Sequence, residues 1–128
     1  FPSIPARPPM ESSDISATAL AIRALQLYGA DPAPAIQRAQ RWLRNAAAQT
    51  QEEMAMRLLG LAWSQAPARE VSAAADALLR TQRSDGGWAQ LPTLESDAYA
   101  TGLSLAALHL SGQANADAEP YRRGVYFL

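Results

Sequence analysis

Two Ser-Asp pairs, Ser13-Asp14 and Ser96-Asp97, stand where residue type and spacing suit chemistry. Each opens a helix-like run: Asp14-Ile15-Ser16-Ala17-Thr18-Ala19 in one, Asp97-Ala98-Tyr99-Ala100-Thr101-Gly102 in the other. A carboxyl at such a place has two uses. It can exchange a proton with a substrate in an adjoining cavity. It can also cap the free amides of the first helical turn, where the dipole favours an acid. Capping is the commoner role, and the residues themselves leave both open for Asp14 and Asp97. Tyr99 adds an aromatic face that either packs in the core or lines a cavity. Glu95 reads as a solvated loop residue at the same rim. His109 has no His or Cys partner nearby, and cysteine is absent from the chain. Disulfides, thiolate zinc sites and cysteine nucleophiles are thereby excluded, and neither a metal nor a cofactor is expected.

A second segment, Gln82-Arg83-Ser84-Asp85-Gly86-Gly87-Trp88, combines types suited to holding elements together. Asp85-Gly86-Gly87 is a tight turn that needs positive φ, which glycine adopts without steric penalty. Gln82 can satisfy open backbone groups at helix ends. Trp88 offers a large flat surface to lock neighbouring units.

The elements that position these residues are helices. Of 128 residues 28 are alanine, the best helix former, while valine occurs only at 71 and 125 and isoleucine only at 4, 15, 22 and 36. Four prolines at positions 2, 5, 8 and 9 make residues 1–12 an extended arm. Six helices are expected after it, over about 14–28, 35–47, 50–64, 67–81 and 97–111, with the sixth starting near Pro120. Gly29 and the Pro32/Pro34 pair close the first.

Helices one, three and five are apolar on nearly every side and must be covered on several faces. Trp42 and Trp63, at helical spacing with leucines, read as core. Helices two and four carry one apolar stripe (Ile36, Ala39, Leu43; Val71, Ala74, Leu78) opposite charged residues such as Arg38, Arg41, Arg69 and Glu70. An inner layer therefore alternates with an outer one.

Internal similarity supports repetition. Ser13-Asp14, Thr18, Leu25 and Gly29 superpose on Ser96-Asp97, Thr101, Leu108 and Gly112 at a constant offset of 83. An offset of 36 lays Trp42-Leu43-Arg44 on Leu78-Leu79-Arg80, Ile22 on Leu58 and Leu25 on Leu61. Three helical hairpins lie in series, and such repeats bury their faces against neighbours.

The Gln82–Trp88 segment resembles the QW motif of squalene–hopene cyclases, oxidosqualene cyclases and the wider terpene-cyclase and prenyltransferase superfamily. The stretch from Ser96 to Leu108 resembles their inner helices. The resemblance covers residues 12 to 128 and implies an α/α toroid, with inner helices around a cavity and outer helices enclosing them. A full toroid has about twice as many hairpins, so this chain resembles part of one. Hopene cyclases protonate their substrate with Asp-x-Asp-Asp-Thr-Ala at the head of an inner helix. Asp14-Ile15-Ser16-Ala17-Thr18-Ala19 keeps the first Asp and Thr-Ala but has Ser16 where the acid belongs. Serine cannot protonate an alkene or epoxide. The zinc set of prenyltransferase β-subunits, Asp, Cys and His, is not matched.

Eleven arginines against twelve acids give a net charge of −1, with no basic excess to grip nucleic acid. No apolar run approaches the ~20 residues that span a bilayer. The start at Phe1-Pro2 and the apolar ending Val125-Tyr126-Phe127-Leu128 read as cuts in a longer or processed chain, and the compartment is open. The expectation is an all-α array of three hairpins, part of an α/α toroid. Its cavity, completed by further repeats or a partner chain, holds an isoprenoid or other apolar ligand without necessarily converting it. Asp14, Ser16, Asp97 and Tyr99 are the cavity candidates, and Gln82, Asp85, Gly86, Gly87 and Trp88 the structural motif. The alternative is a non-catalytic repeat scaffold for protein binding or self-association.

Overall fold

The alanine content and scarcity of β-branched residues act as expected: residues 13–128, described by a computed structural model, form six α-helices and no strand. They are α1 (Asp14–Tyr28), α2 (Ala33–Asn45), α3 (Gln51–Trp63), α4 (Ala68–Leu79), α5 (Ala98–Leu110) and α6 (Glu119–Phe127). The proline-rich arm assigned to residues 1–12 lies outside the described residues.

Local chemistry sets the helix starts. Thr50 and Glu53 form a reciprocal capping box on α3, and Asp97 caps α5 by accepting from the Ala100 amide at 2.9 Å. On α1 the cap is Ser13, whose Oγ accepts from the Ile15 amide at 3.2 Å. The capping role offered for Asp14 is thus corrected. The hydroxyl one residue earlier already holds the position, and Asp14 becomes the first helical residue, still placed to favour the dipole. α2 begins two residues earlier than expected, because Pro34 falls in its first turn, where a missing N–H breaks no helical bond. Gly29 ends α1 in an extended conformation with its amide bonded back to Leu25.

α3 packs between α1 and α5, so the three apolar helices form one row. α2 lies against α1 and α3, α4 against α3, and α6 against α5. The hairpins α1–α2, α3–α4 and α5–α6 therefore stand in series, inner row and outer row as the periodicity required. The core fills the space between the rows with Ile22, Leu43, Leu58, Leu61, Leu78, Trp88 and Leu108, all sealed from solvent. Gly60 lets α1 and α3 approach closely: a Cβ there would fall 2.5 Å from Leu43 Cδ1 and 3.0 Å from the Ala19 methyl. Outside the rows the helices are charged, and Arg44 pairs with Glu70 at 2.9 Å.

Two packing expectations need correction. The inner helices are not all covered: α3 is, but α1 and α5 stand at the ends of the row, leaving Leu27 55% and Leu110 61% exposed. Trp42 is no core residue either; it is 43% exposed on α2. Trp63 is half-buried against the core, with the Arg23 guanidinium 5.6 Å from its ring centre. No helix of the described residues is long and apolar enough to cross a membrane.

Candidate functional site

The N-terminal ends of α1, α3 and α5 meet in a polar rung. Glu52, in the first turn of α3 and only 7% exposed, is its centre. Its Oε1 accepts from Ser16 Oγ of α1 at 2.9 Å, and its Oε2 accepts from the Tyr99 hydroxyl of α5 at 3.3 Å. One buried carboxyl therefore ties all three inner helices together. A carboxyl has about four lone-pair sites, so two remain after these bonds. Beside it Glu53 accepts from Ser13 Oγ at 2.9 Å while closing its capping box.

Two of the four cavity candidates, Ser16 and Tyr99, are brought together here. Ser16 is buried and bonded, and Tyr99 is 37% exposed, so the core-packing alternative for it gives way to a place at the rim. Asp97 stands next to the rung as the α5 cap, with Oδ2 accepting from Gln90 Nε2 at 3.2 Å. Asp14 is exposed on the first turn of α1. His109 is exposed late on α5, its ring 6.3 Å from that of Tyr121.

Glu52 is the candidate residue that no motif marks. Its signal was in the repeat: the offset of 36 lays Ser16 on Glu52, and the offset of 83 lays Ser16 on Tyr99. Ser16, Glu52 and Tyr99 are one repeat position written three ways. A helix brings positions four, seven and eleven residues further on to the same face. Below the rung the same register stacks Leu20, Met56 and Leu103, then Arg23, Leu59 and Ala106, then Leu27, Trp63 and Leu110. Eleven residues at 1.5 Å each make this face about 16 Å long. It is apolar apart from Arg23, which lies over Trp63.

Acidity dominates the rung end. Asp14, Glu52, Glu53 and Asp97 fall within the first turns or caps of the inner helices, and no arginine shares those turns. Burial raises the Tyr99 hydroxyl above its ordinary value of 10.0, and the neighbouring Glu52 adds to the effect. The raised value favours the neutral phenol. Its bond to Glu52 is then intact below pH 10.0 and lost as pH climbs through the higher folded value. Tyr99→Phe is expected to remove, from the alkaline absorbance titration of the four tyrosines, a component with its midpoint above 10.0. Loss of a component with its midpoint at or below 10.0 would contradict the Tyr99–Glu52 bond.

The Gln82–Trp88 segment positions this rung. Gly86 takes the left-handed φ of +91° that the turn was expected to need, while the carbonyl of Arg123 closes off the space for a side chain. Asp85 Oδ1 accepts from the Gly87 amide at 2.9 Å and from Ser96 Oγ at 3.2 Å. The Gly87 amide, with help from Ser96 and Arg83, holds the Asp85 carboxyl below its usual 3.8 against partial desolvation. Gln82 Nε2 donates to the carbonyls of Gly86 and Pro120, both at 2.8 Å, tying the turn to α6. Trp88 then joins α4 to α5. Its indole donates to the Leu78 carbonyl of α4, its amide to Thr101 Oγ1 of α5, and its carbonyl accepts from the Asp97 amide, each at 3.0 Å. The segment fixes the start of α5, and with it Tyr99.

A groove lies elsewhere, between Gln49, Met54, Thr81, Arg83, Gln90 and Leu91, and no member of the rung lines it. It is a crease of loop against helix with Arg83 as its only ionisable group, whereas the rung gathers buried polar groups from three helices. Among the described residues no group of three or more His, Asp or Glu side chains is placed to hold a metal ion. Comparison with family models, with curated proteins and with solved structures finds no match to this chain.

Proposed function

We propose that the inner face of α1, α3 and α5 is one wall of a binding site for an isoprenoid or other apolar chain, held with its polar end at Glu52. The carrying observation is the order of the rows: a buried acid bridged across three helices, followed by about 16 Å of largely apolar side chains. Sites for small apolar ligands have this composition, mostly hydrophobic lining with a few polar groups that fix orientation. The resemblance of Gln82–Trp88 to the QW segment of terpene cyclases supports the same reading.

The rung also limits the head group. Both Glu52 oxygens act as acceptors, so the carboxyl is arranged to receive a hydrogen bond rather than to protonate an alkene. Ser16 occupies the acid's place in the cyclase-like run and has no proton of suitable acidity. The reading is therefore binding without cyclisation. Four acidic side chains in the first turns and caps, with no arginine in the same turns, repel a diphosphate or carboxylate and suit a hydroxyl or an ammonium.

Native mass spectrometry and fluorescence titration with an isoprenoid alcohol and its matching diphosphate test this. The alcohol is expected to bind, and roughly tenfold or more tightly than the diphosphate, from like-charge repulsion at the rung. No binding of either would sink the proposal, and tighter diphosphate binding would place the head group away from Glu52.

A further inference from the structure

Gln51 buries an amide and uses half of it. The residue is 4% exposed, in the first turn of α3. Its Nε2 donates to the Ala100 carbonyl of α5 at 2.9 Å and to Ser104 Oγ at 2.6 Å. A flipped amide would set Oε1 against the Ala100 carbonyl, acceptor facing acceptor, so these bonds fix which end is which. Oε1 is thereby left buried with no donor, one of two side-chain atoms so placed among the described residues. Buried polar atoms are almost always bonded, and an orphaned acceptor works against folding.

Gln51 also lines the groove between α3 and the loop after α4, and it is the one buried residue of that lining. Its backbone amide ties the two walls together by donating to the Gln90 carbonyl at 3.2 Å. The walls are built within residues 49–54 and 81–92, so the groove is no end face of the array. Met54, Ala89 and Leu91 give it apolar sides. Half-buried Arg83 is held at the groove by donating to the Pro92 carbonyl at 3.0 Å, which uses one of its five N–H donors. The ion pairs of the described residues are Arg44–Glu70 and Arg123–Glu119, so no carboxylate among them pairs with Arg83. The groove measures about 280 Å³, at the small end of the ~300–1,000 Å³ typical of small-molecule sites.

We infer that this groove is a second binding site, for a small carboxylic acid that carries an amide N–H. The N–H donates to Gln51 Oε1, and the carboxylate takes the guanidinium of Arg83. An orphaned acceptor requires a donor, and a cation with no acid beside it favours an anion. The planar fork of arginine matches a carboxylate in particular. Met54 and Leu91 receive the short apolar part between the two polar groups. An N-acyl amino acid combines all three features at a size that suits the groove. The rung at Glu52 repels anions, so the two sites sort ligands by charge. The groove shares no residue with the rung, and this inference stands without the apolar ligand.

The test titrates the purified protein with N-acetylalanine and two controls, read by backbone amide NMR shifts. The methyl ester of N-acetylalanine lacks the charge, and N-acetylproline lacks the N–H. N-acetylalanine is expected to move the amides of Met54, Ala89 and Leu91, and to bind roughly tenfold more tightly than either control. Arg83→Gln is expected to erase the advantage over the ester and keep that over N-acetylproline. Gln51→Met is expected to do the reverse. A merely structural role for Gln51 would weaken all three probes alike. Arg83→Gln changes a half-buried side chain and retains a donor for Pro92, so it tests the site even where Gln51→Met disturbs the contact between α3 and α5. No binding at millimolar probe, shifts confined to other residues, equal affinity for the three probes, or an advantage over the ester that survives Arg83→Gln overturns the inference.

Discussion

Trp88→Ala is expected to destabilise the protein by about 4 kcal/mol, from the lost burial of the indole and the cavity it leaves. Trp88 is completely buried and touches the last hairpin from inside: a Cβ on Gly124 of α6 would fall 2.9 Å from its ring. Its indole N–H also donates to the Leu78 carbonyl at the C-terminus of α4, but that carbonyl keeps the Thr81 amide and hydroxyl as donors, so the loss is one of packing. A domain has roughly 5–15 kcal/mol of stability in total, so the loss is a large fraction of it. Urea denaturation followed by circular dichroism reads this as a lower midpoint, with the slope unchanged if unfolding stays two-state. Trp42→Ala is the comparison. That indole is 43% exposed on α2, and its removal is expected to change stability by no more than about 0.5 kcal/mol. Equal losses for the two tryptophans would contradict the packing described here.

That contrast shows where the sequence is informative. Trp42 and Trp88 are both large aromatics expected to be enclosed, Trp42 at helical spacing with leucines and Trp88 as the lock of a turn segment. What separates them is tertiary: Trp88 follows two glycines that let the chain fold back against α6, while Trp42 stays 43% exposed on α2, beside Thr18 and Arg38 in an open groove. Helix content, helix number and the alternation of layers were legible because alanine richness and apolar periodicity are local properties. The caps were legible in type but not in register, since Ser13 and Asp14 are both good cap residues and only the turn geometry selects one. Exposure at Leu27 and Leu110 could not be read from helix composition, because an end helix and a middle helix of the row carry the same apolar pattern. Proline misled in one place. Pro34 reads as a breaker and acts instead as a first-turn residue of α2.

The candidate site was half legible for a related reason. Asp14, Ser16, Asp97 and Tyr99 attract notice because each stands near a Ser-Asp pair at a helix start. Glu52 follows Gln51 and precedes Glu53 in a run that reads as an ordinary acidic first turn. Only the three-fold correspondence of Ser16, Glu52 and Tyr99 separates it from its neighbours, and the residue type differs at every occurrence. A repeat conserves position and packing direction more strictly than chemistry, so the polar rung is visible as a register and invisible as a motif.

Glu52→Leu tests what the rung is for, since a structural role and a binding role predict opposite results. A buried carboxyl that balances a buried cation is costly to remove, about 3–5 kcal/mol, because its partner is left uncompensated. Among the described residues Glu52 has no such partner: its bonds are to two neutral hydroxyls. After substitution Ser16 can turn its hydroxyl toward the carbonyl of the N-cap residue Ser13, three residues back. Tyr99, 37% exposed, can reach water. Leucine also suits the apolar rows that begin one turn below. Stability is therefore expected to change by less than about 1 kcal/mol, or to rise. Binding of the isoprenoid alcohol is expected to weaken by roughly 10- to 100-fold, the equivalent of one hydrogen bond to a charged acceptor. The two readouts together are decisive. A fall in stability as large as that of Trp88→Ala would make Glu52 a structural strut, and unchanged alcohol affinity would remove it from the binding site. Stable protein with weakened binding is the result that a head-group acceptor produces, and no strut produces it.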